Sequence, residues 1–250
     1  RKAKLKKRTQ QRYSKSDAGT FEYCENYEGG IKMATPVLII GKSGSGKSTS
    51  MRNCQNDDFN LIRVLNKPLP FKGKVNGWFS DDYQQIMKLL IASKADSIVI
   101  DDAGYLITNH FMRGHSSAGK GNGVFSLYND IGDYFWNLIQ FIVTKVPENK
   151  IVYIIMHEEK DEAGEVKPKT IGKLLDEKVC IEGMFTIVLR CIEEGGKHLF
   201  VTQASQGAVS KSPIGMFEDL TIDNDLLLVD KKIREYYGLG KGEENNAETK

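Results

Sequence analysis

The sequence lacks an apolar run of the about 20 residues that a membrane-spanning helix requires. Its basic N-terminus is not followed by the apolar stretch of a secretory signal. The four cysteines form no C-x-x-C pair, and the four histidines do not combine with them in metal-ligand spacing. We therefore expect reduced thiols, a cytoplasmic location, no membrane partner and no zinc site.

The chain as a whole has little net charge, because 35 Lys and Arg nearly balance 33 Asp and Glu. Residues 1–32, however, hold nine basic and four acidic side chains, which leaves 26 basic and 29 acidic side chains for residues 33–250. Such a basic arm could bind nucleic-acid phosphates or simply remain solvated. We predict a flexible arm at 1–32, a domain at 33–240 that could begin at Met33, and a disordered tail at 241–250.

Five short apolar runs alternate with longer polar or helical segments, at 37–40, 60–64, 97–101, 151–157 and 185–191. Nearly continuous apolar strands of this kind predict a parallel sheet that helices cover on both faces. After the fifth run, EEGGK at 193–197 predicts a turn that returns the chain through 198–202. The predicted fold is therefore three-layer α/β, with a C-terminal antiparallel hairpin.

Apolar spacing predicts two helices on this sheet. Ser80 could cap a helix that runs through Ser93 and buries the apolar residues at 86, 89 and 90. Seven apolar residues between 127 and 143 also recur at helical spacing. Their stripe predicts a helix that packs on the core rather than a partner surface.

The most specific motif is GKSGSGKS at 41–48, which fits G-x-x-x-x-G-K-[ST] and directly follows the first predicted strand. Its glycines let successive N–H groups converge on phosphate oxygens. Lys47 would reach the β- and γ-phosphates, and Ser48 would bind Mg²⁺ through its hydroxyl. The predicted nucleotide-binding residues are Gly41, Lys42, Ser43, Gly44, Ser45, Gly46, Lys47, Ser48 and Thr49.

The third predicted strand, SIVIDD at 97–102, fits a Walker B element, in which an apolar strand ends in a carboxylate. Ligands of an open parallel sheet bind outside these strand ends. Asp101 would therefore hold Mg²⁺ through its water shell. Asp102 could orient or deprotonate the attacking water, or it could cap the helix that follows.

The fourth predicted strand ends in MHEE at 156–159, where its tip would lie beside the γ-phosphate. His157 could sense hydrolysis, since imidazole donates hydrogen bonds to phosphate or water, or it could be an ordinary strand-end histidine. Glu158 is a second candidate for activating water. Lys173 and Lys211 could each stabilise transition-state charge, in their own subunit or a neighbour, or remain ordinary surface lysines.

The longest segment predicted to be irregular is 109–123, and loops of that length are commonly functional or disordered. It combines Arg113 and Lys120 with Phe111, His110 and His115. Such a set of side chains can contact phosphates and stack on bases. We therefore predict a DNA-contacting loop near the Walker B edge of the sheet.

Between about residues 36 and 237 the chain resembles small phage-encoded RecA-like ATPases. The resemblance is carried by the phosphate loop and by IDDAGYL (100–106), NHFMR (109–113), MHE (156–158), KTIGKLL (169–175), EGMFT (182–186) and KSPIGMF (211–217). It implies a RecA-like (ASCE) P-loop NTPase core in which a sensor strand separates the phosphate-loop and Walker B strands. It further implies a homo-oligomer on DNA with ATP held between subunits, acting in recombination, annealing or replication within the host cytoplasm.

Applied residue by residue, the resemblance implies that Lys47 and Ser48 bind phosphate and Mg²⁺ and that Asp101 is the Walker B acid. His157 becomes a sensor and Lys211 a contact in trans. The arm at 1–32 lies outside the match. The second predicted strand also lacks the catalytic glutamate that RecA has there, so the identity of the base is open.

Two other classes of nucleotide-binding protein fit poorly. A GTPase needs N-K-x-D late in the chain, but the Asn-Lys pairs at 66–67 and 149–150 both lack the Asp. A small-molecule kinase would bring an Arg-rich lid, yet Arg occurs after the third strand only at 113, 190 and 234. We predict a Mg²⁺-dependent ATPase stimulated by DNA, preferably single-stranded. A helicase loader, a packaging motor and a nucleotide-binding structural protein without hydrolysis remain alternatives.

Overall fold

The computed structural model describes residues 33–55, 57–119, 121–171, 175, 178–204 and 209–240. The predicted arm at 1–32 and the predicted tail at 241–250 lie outside the described residues, as do Lys120 and Lys173. The three-segment division of the chain therefore stays a prediction.

The described residues form a nine-stranded sheet. The strands are β1 (Thr35–Gly41), β2 (Phe59–Arg63), β3 (Gly77–Phe79), β4 (Ser97–Asp101), β5 (Ile151–Lys160), β6 (Val166–Pro168), β7 (Ile187–Glu194), β8 (Lys197–Val201) and β9 (Thr221–Asp223). Their order is β3-β2-β4-β5-β1-β7-β8-β9, and β6 pairs with the end of β5. The strands from β3 to β7 along this order are parallel, whereas β8, β9 and β6 pair antiparallel.

Helices cover both faces of this sheet. They are α1 (Tyr83–Ala92), α2 (Gly104–Gly114), α3 (Asn122–Lys145), α4 (Leu226–Tyr237) and a 3₁₀ helix at Ser48–Asn53. Residues of α1, α2 and α3 share one apolar cluster with the sheet, and residues of the 3₁₀ helix and α4 share the other. The helices in the described part of the chain are all too short or too polar to cross a bilayer.

The predicted three-layer RecA-like fold is confirmed by this strand order, in which β5 separates β1 from β4. All five predicted strands are present, and β7 and β8 form the predicted hairpin. The core-facing helix predicted around 127–143 is α3, which buries Leu127, Ile131, Phe135, Leu138, Ile139 and Ile142. The sequence analysis missed β3, β6 and β9, which have three residues each and are too short to show a periodic pattern.

Two local predictions are wrong. The N-cap of α1 is Asp82, whose carboxylate accepts a hydrogen bond from Gln85 N at 2.7 Å, and Ser80 instead accepts one from Asp82 N at 3.2 Å. The segment 109–123 is not an irregular loop, because α2 continues to Gly114 and α3 begins at Asn122.

Tertiary contacts extend α2 through the segment that looked irregular. Asn109 Nδ2 donates a hydrogen bond to Asp81 Oδ2 at 2.8 Å, and Arg113 forms an ion pair with the same carboxylate. The ring of Phe111 stacks on Tyr128 of α3, with the ring centroids 5.7 Å apart. These side chains therefore hold α2 against its neighbours, whereas a contact between this segment and DNA stays a prediction.

A buried polar network fastens α4 to the sheet. Asp230 is 5% exposed and accepts hydrogen bonds from Tyr153 Oη of β5 at 2.9 Å, from Arg234 Nε at 2.8 Å and from Ser97 Oγ of β4. Arg234 also donates to the carbonyl of Asn149 at 3.1 Å. Removal of this one carboxylate would leave the buried Tyr153 hydroxyl without its acceptor and the Arg234 cation without its counter-charge.

We expect Asp230→Ala to lower the free energy of unfolding by about 3 to 5 kcal/mol, because it leaves the Arg234 cation without its carboxylate in a mostly buried site. Urea unfolding followed by circular dichroism measures the change. Lys231→Ala, an exposed position on the same helix, is the matched control and should stay within about 0.5 kcal/mol of the parent protein. Equal stability of the two variants would contradict the prediction.

Candidate nucleotide site at the ends of the central strands

Three adjacent parallel strands deliver the predicted site residues to one edge of the sheet. The phosphate loop follows β1, the pair Asp101 and Asp102 ends β4, and His157 lies near the end of β5. Gly41 pairs directly with His157 in the register of β1 and β5. The carboxyl ends of parallel strands form the usual ligand-binding crevice of such sheets.

The backbone of the phosphate loop has the shape that phosphate oxygens require. Gly44 and Gly46 have φ of 80° and 99°, a region that side chains rarely tolerate. A Cβ on Gly41 would lie 2.5 Å from Ser45 Oγ and 2.7 Å from the carbonyl oxygen of Cys191. Within the described residues, the N–H groups of Gly44, Gly46 and Lys47 have no hydrogen-bond acceptor. They form a set of donors that fits an anion.

The ammonium group of Lys47 lies at the mouth of this loop. Its Nζ donates hydrogen bonds to the carbonyl oxygens of Gly41 at 2.8 Å and Lys42 at 2.6 Å, and it lies 3.5 Å from His157 Nδ1. Burial lowers the pKa of Lys47, and the neighbouring acidic groups oppose that shift. Lys47 thus places a buried cation against the backbone of the phosphate loop.

Ser48 and Asp101 bring the two nucleotide-binding motifs into contact. Ser48 Oγ lies 3.0 Å from Asp101 Oδ1 and 3.1 Å from Oδ2, although the residues are 53 positions apart. Asp101 is 3% exposed, and burial, together with the charge of Asp102, raises its pKa to about 6. A hydroxyl and a carboxylate in contact are hard oxygen ligands, which fit Mg²⁺.

Asp102 occupies an unusual backbone position at the end of β4. Among the described residues it alone, glycines aside, has a positive φ, which is 59°. That conformation costs roughly 1 to 2 kcal/mol for a residue with a Cβ. Its side chain does not cap α2, whose N-cap is Ala103. Instead, Oδ2 pairs with Lys67 Nζ at 2.5 Å, so the alternative interpretation of Asp102 as a helix cap is wrong.

His157 lies between the phosphate loop and the second carboxylate. Its Nδ1 lies 3.5 Å from Lys47 Nζ, and its Nε2 lies 3.8 Å from Asp102 Oδ1. Partial burial and the charge of Lys47 lower the pKa of His157, which favours the neutral ring. A neutral imidazole can accept a hydrogen bond on one side and donate one on the other. The predicted sensor therefore has contacts that suit that role.

Glu158 is held in a closed ion pair. Its Oε2 accepts a hydrogen bond from Arg190 Nε at 2.7 Å, and its Oε1 accepts one from Arg190 Nη2 at 2.8 Å. The glutamate side chain is 2% exposed. Both carboxylate oxygens are thus engaged, which argues against the prediction that Glu158 activates water and favours Asp102.

Of the two lysines predicted to stabilise transition-state charge, only Lys211 lies among the described residues. Lys211 pairs through its backbone with Val188 of β7, at 2.8 and 2.9 Å. In the described part of the chain, no hydrogen bond or ion pair joins the Lys211 side chain to the phosphate loop. Lys173 lies outside the described residues. A role of Lys211 in a neighbouring subunit stays a prediction.

Two residues beside the site were missed by the sequence analysis. Lys67, considered only as part of a failed guanine motif, pairs with Asp102. His198 of β8 packs against Gly46, where a Cβ would lie 2.7 Å from its ring. Neither residue belongs to a sequence motif that would have predicted its place in the site. Each reaches the site from another strand or from the connection that follows a strand.

Comparisons with known proteins add little to this geometry. No protein-family model matches the chain, and no curated protein matches it. Among solved structures, the chain is similar to the flagellar accessory protein FlaH from Methanocaldococcus jannaschii. The two are 13% identical, the match covers 77% of this chain and 85% of FlaH, and the TM-score is 0.40. The fold class therefore rests on the strand order, and the site rests on the contacts described above.

The buried carboxylate of Asp101 makes stability depend on pH in a defined direction. Folding raises its pKa from 3.8 to about 6, so the folded state binds the proton more tightly than the unfolded state does. The ionised carboxylate therefore destabilises the nucleotide-free protein. This cost is complete above about pH 6 and disappears toward pH 4.

We expect Asp101→Asn, which keeps an oxygen for Ser48, to raise the free energy of unfolding by roughly 3 kcal/mol at pH 7.5. The gain should shrink toward zero as the pH approaches 4. Urea unfolding across this range, without nucleotide or Mg²⁺, measures it. Asp133→Asn, at an exposed position on α3, is the control and should show no such trend. A gain that does not vary with pH would contradict the assignment.

Proposed function

We propose that this chain binds ATP with Mg²⁺ and hydrolyses it. The contact between Ser48 Oγ and Asp101 Oδ1 at 3.0 Å carries the proposal, because it joins the Walker A hydroxyl to the Walker B carboxylate. An apolar strand, a phosphate loop and an acidic strand end at these relative positions are the parts of a P-loop nucleotide site.

Each residue of the proposed site has its own role in binding or hydrolysis. The N–H groups of Gly44 and Gly46 and the ammonium of Lys47 hold the phosphates, and Ser48 and Asp101 hold Mg²⁺. When bound, Mg²⁺ supplies positive charge that offsets the phosphate oxygens. The oxygen of the attacking water bonds to the γ-phosphorus while Asp102 Oδ1 accepts its proton. The bond between the γ-phosphorus and the bridging oxygen of ADP breaks, and ADP leaves with the electron pair. His157 senses the change through its contacts with Lys47 and Asp102.

Hydrolysis is favoured over phosphoryl transfer to a small molecule because, in the described part of the chain, no arginine after β4 is free to form a lid. The three arginines after β4 are Arg113, Arg190 and Arg234, and each forms an ion pair with Asp81, Glu158 or Asp230. The chain also lacks the N-K-x-D element that reads guanine. Water is therefore the proposed acceptor and ATP the proposed nucleotide.

We further propose that the ATPase acts on DNA, preferably single-stranded, as a homo-oligomer with ATP near subunit interfaces. The sequence resemblance to phage RecA-like proteins and the basic composition of residues 1–32 support this proposal. Recombination, annealing or replication are the processes that the resemblance suggests. In an oligomer, Lys211 is the proposed contact to a neighbour's phosphates.

Lys47→Ala should reduce ATP hydrolysis by roughly 100-fold or more, because it removes the cation that faces the phosphates. Phosphate release at saturating Mg²⁺ measures the rate, and circular dichroism checks that the fold persists. Lys88→Ala is the control, since Lys88 is an exposed lysine on α1 that has no part in the proposed site. Retained hydrolysis in Lys47→Ala would remove the phosphate-loop assignment.

Single-stranded DNA should raise the ATPase rate more than double-stranded DNA does, if DNA binding and hydrolysis are coupled. The rate is measured with each DNA and without DNA, and light scattering gives the mass in solution. Lys47→Ala serves as the control that should bind DNA without hydrolysing ATP. An unchanged rate together with no DNA binding at low salt would reject the DNA proposal and leave the ATPase proposal standing.

A further inference from the structure

Lys67 lies in the connection between β2 and β3, and its Nζ pairs with Asp102 Oδ2 at 2.5 Å. The lysine side chain is 50% exposed, whereas the carboxylate side chain is 4% exposed. Despite partial burial, the hydrogen bond to Asp102 raises the pKa of Lys67, so the ammonium is charged whenever the pair forms. The proposed hydrolysis does not yet involve the ammonium group of Lys67.

The backbone around Lys67 is attached to the site. Val64 N donates a hydrogen bond to the carbonyl of Asp101 at 3.2 Å, which joins the end of β2 to the end of β4. Lys67 N donates to the carbonyl of Leu65 at 2.9 Å, and Arg63 Nη1 donates to the carbonyl of Lys67 at 3.4 Å. These backbone hydrogen bonds form a short turn that places Lys67 beside Asp102.

The pair also divides the two oxygens of Asp102 between different partners. Oδ2 is occupied by Lys67, while Oδ1 faces His157 Nε2 at 3.8 Å. His157 Nδ1 in turn lies 3.5 Å from Lys47 Nζ. Rotation of the carboxylate about its Cβ–Cγ bond would break this order, and the ion pair with Lys67 opposes that rotation.

We propose that Lys67 is a positioning residue for ATP hydrolysis: it holds one oxygen of Asp102 so that the other faces His157. This inference rests on the proposed ATPase function, with Asp102 as the group that accepts the proton. A reactive group must be held close to its productive geometry, and small misplacements reduce the rate by large factors. Lys67 itself need not touch the nucleotide, so its loss should affect turnover and not nucleotide binding.

The test compares Lys67→Met, Lys67→Arg and Lys74→Met with the parent protein. Lys67→Met should lower kcat by roughly 10- to 100-fold while the KM for ATP changes by less than about 3-fold. Lys67→Arg keeps the cation and should recover most of kcat. Lys74→Met is the matched control, because Lys74 is an exposed lysine in the same connection, and it should match the parent protein. Urea unfolding tests whether each variant folds. If Lys67→Met does not fold, Lys67→Gln takes its place.

A double-mutant cycle separates positioning from a general structural effect. Asp102→Asn suits the positive φ, since Asn tolerates the left-handed region, and it should lower kcat at least as far as Lys67→Met does. If Lys67 acts only through Asp102, adding Lys67→Met to Asp102→Asn should lower kcat no further. Normal kcat in Lys67→Met, a rise in KM alone, or fully additive losses would each overturn the inference. Absence of ATPase activity in the parent protein would instead reject the proposed function itself.

Discussion

The contact between Ser48 and Asp101 depends on the position of β5 between β1 and β4. Neighbouring strands lie about 4.8 Å apart, so the ends of β1 and β4 are separated by roughly 10 Å. The phosphate loop crosses that gap over the tip of β5, which places His157 beneath it, opposite Gly41 in the strand register. The strand order and register therefore set the distance that the chain must span between the Ser48 hydroxyl and the Asp101 carboxylate.

The distribution of charge at this edge follows from the same arrangement. Asp101 and Asp102 are adjacent and almost completely buried, which is unfavourable unless cations lie close to them. Lys47 and Lys67 supply those cations from the two sides, one from the loop after β1 and one from the connection after β2. The arginines after β4 instead serve in structural ion pairs elsewhere. The site therefore depends on lysine, a compact point charge that suits phosphate as well as carboxylate.

How far the fold could be predicted from the sequence depended on the length and burial of each element. The strands at the centre of the sheet are buried on both faces and appear as nearly continuous apolar runs, so their type and order along the chain were recognisable. The three-residue strands have no such pattern. The segment 109–123 was misjudged because its Gly, His and Ser content is typical of loops. The contacts of Asn109 and Arg113 with Asp81, and of Phe111 with Tyr128, overrode that composition.

The phosphate loop, its lysine and serine, and the acid at the end of β4 were determined by the sequence alone, because their chemistry depends on neighbouring residues within one short motif. Tertiary structure decided how the side chains of Glu158 and Asp102 are paired. Arg190 closes Glu158 in a bidentate pair, and Lys67 holds Asp102 while leaving its other oxygen toward His157. These pairings join residues from different strands and connections, and only strand order and register bring them within hydrogen-bond distance. For that reason no local pattern in the sequence could have predicted them.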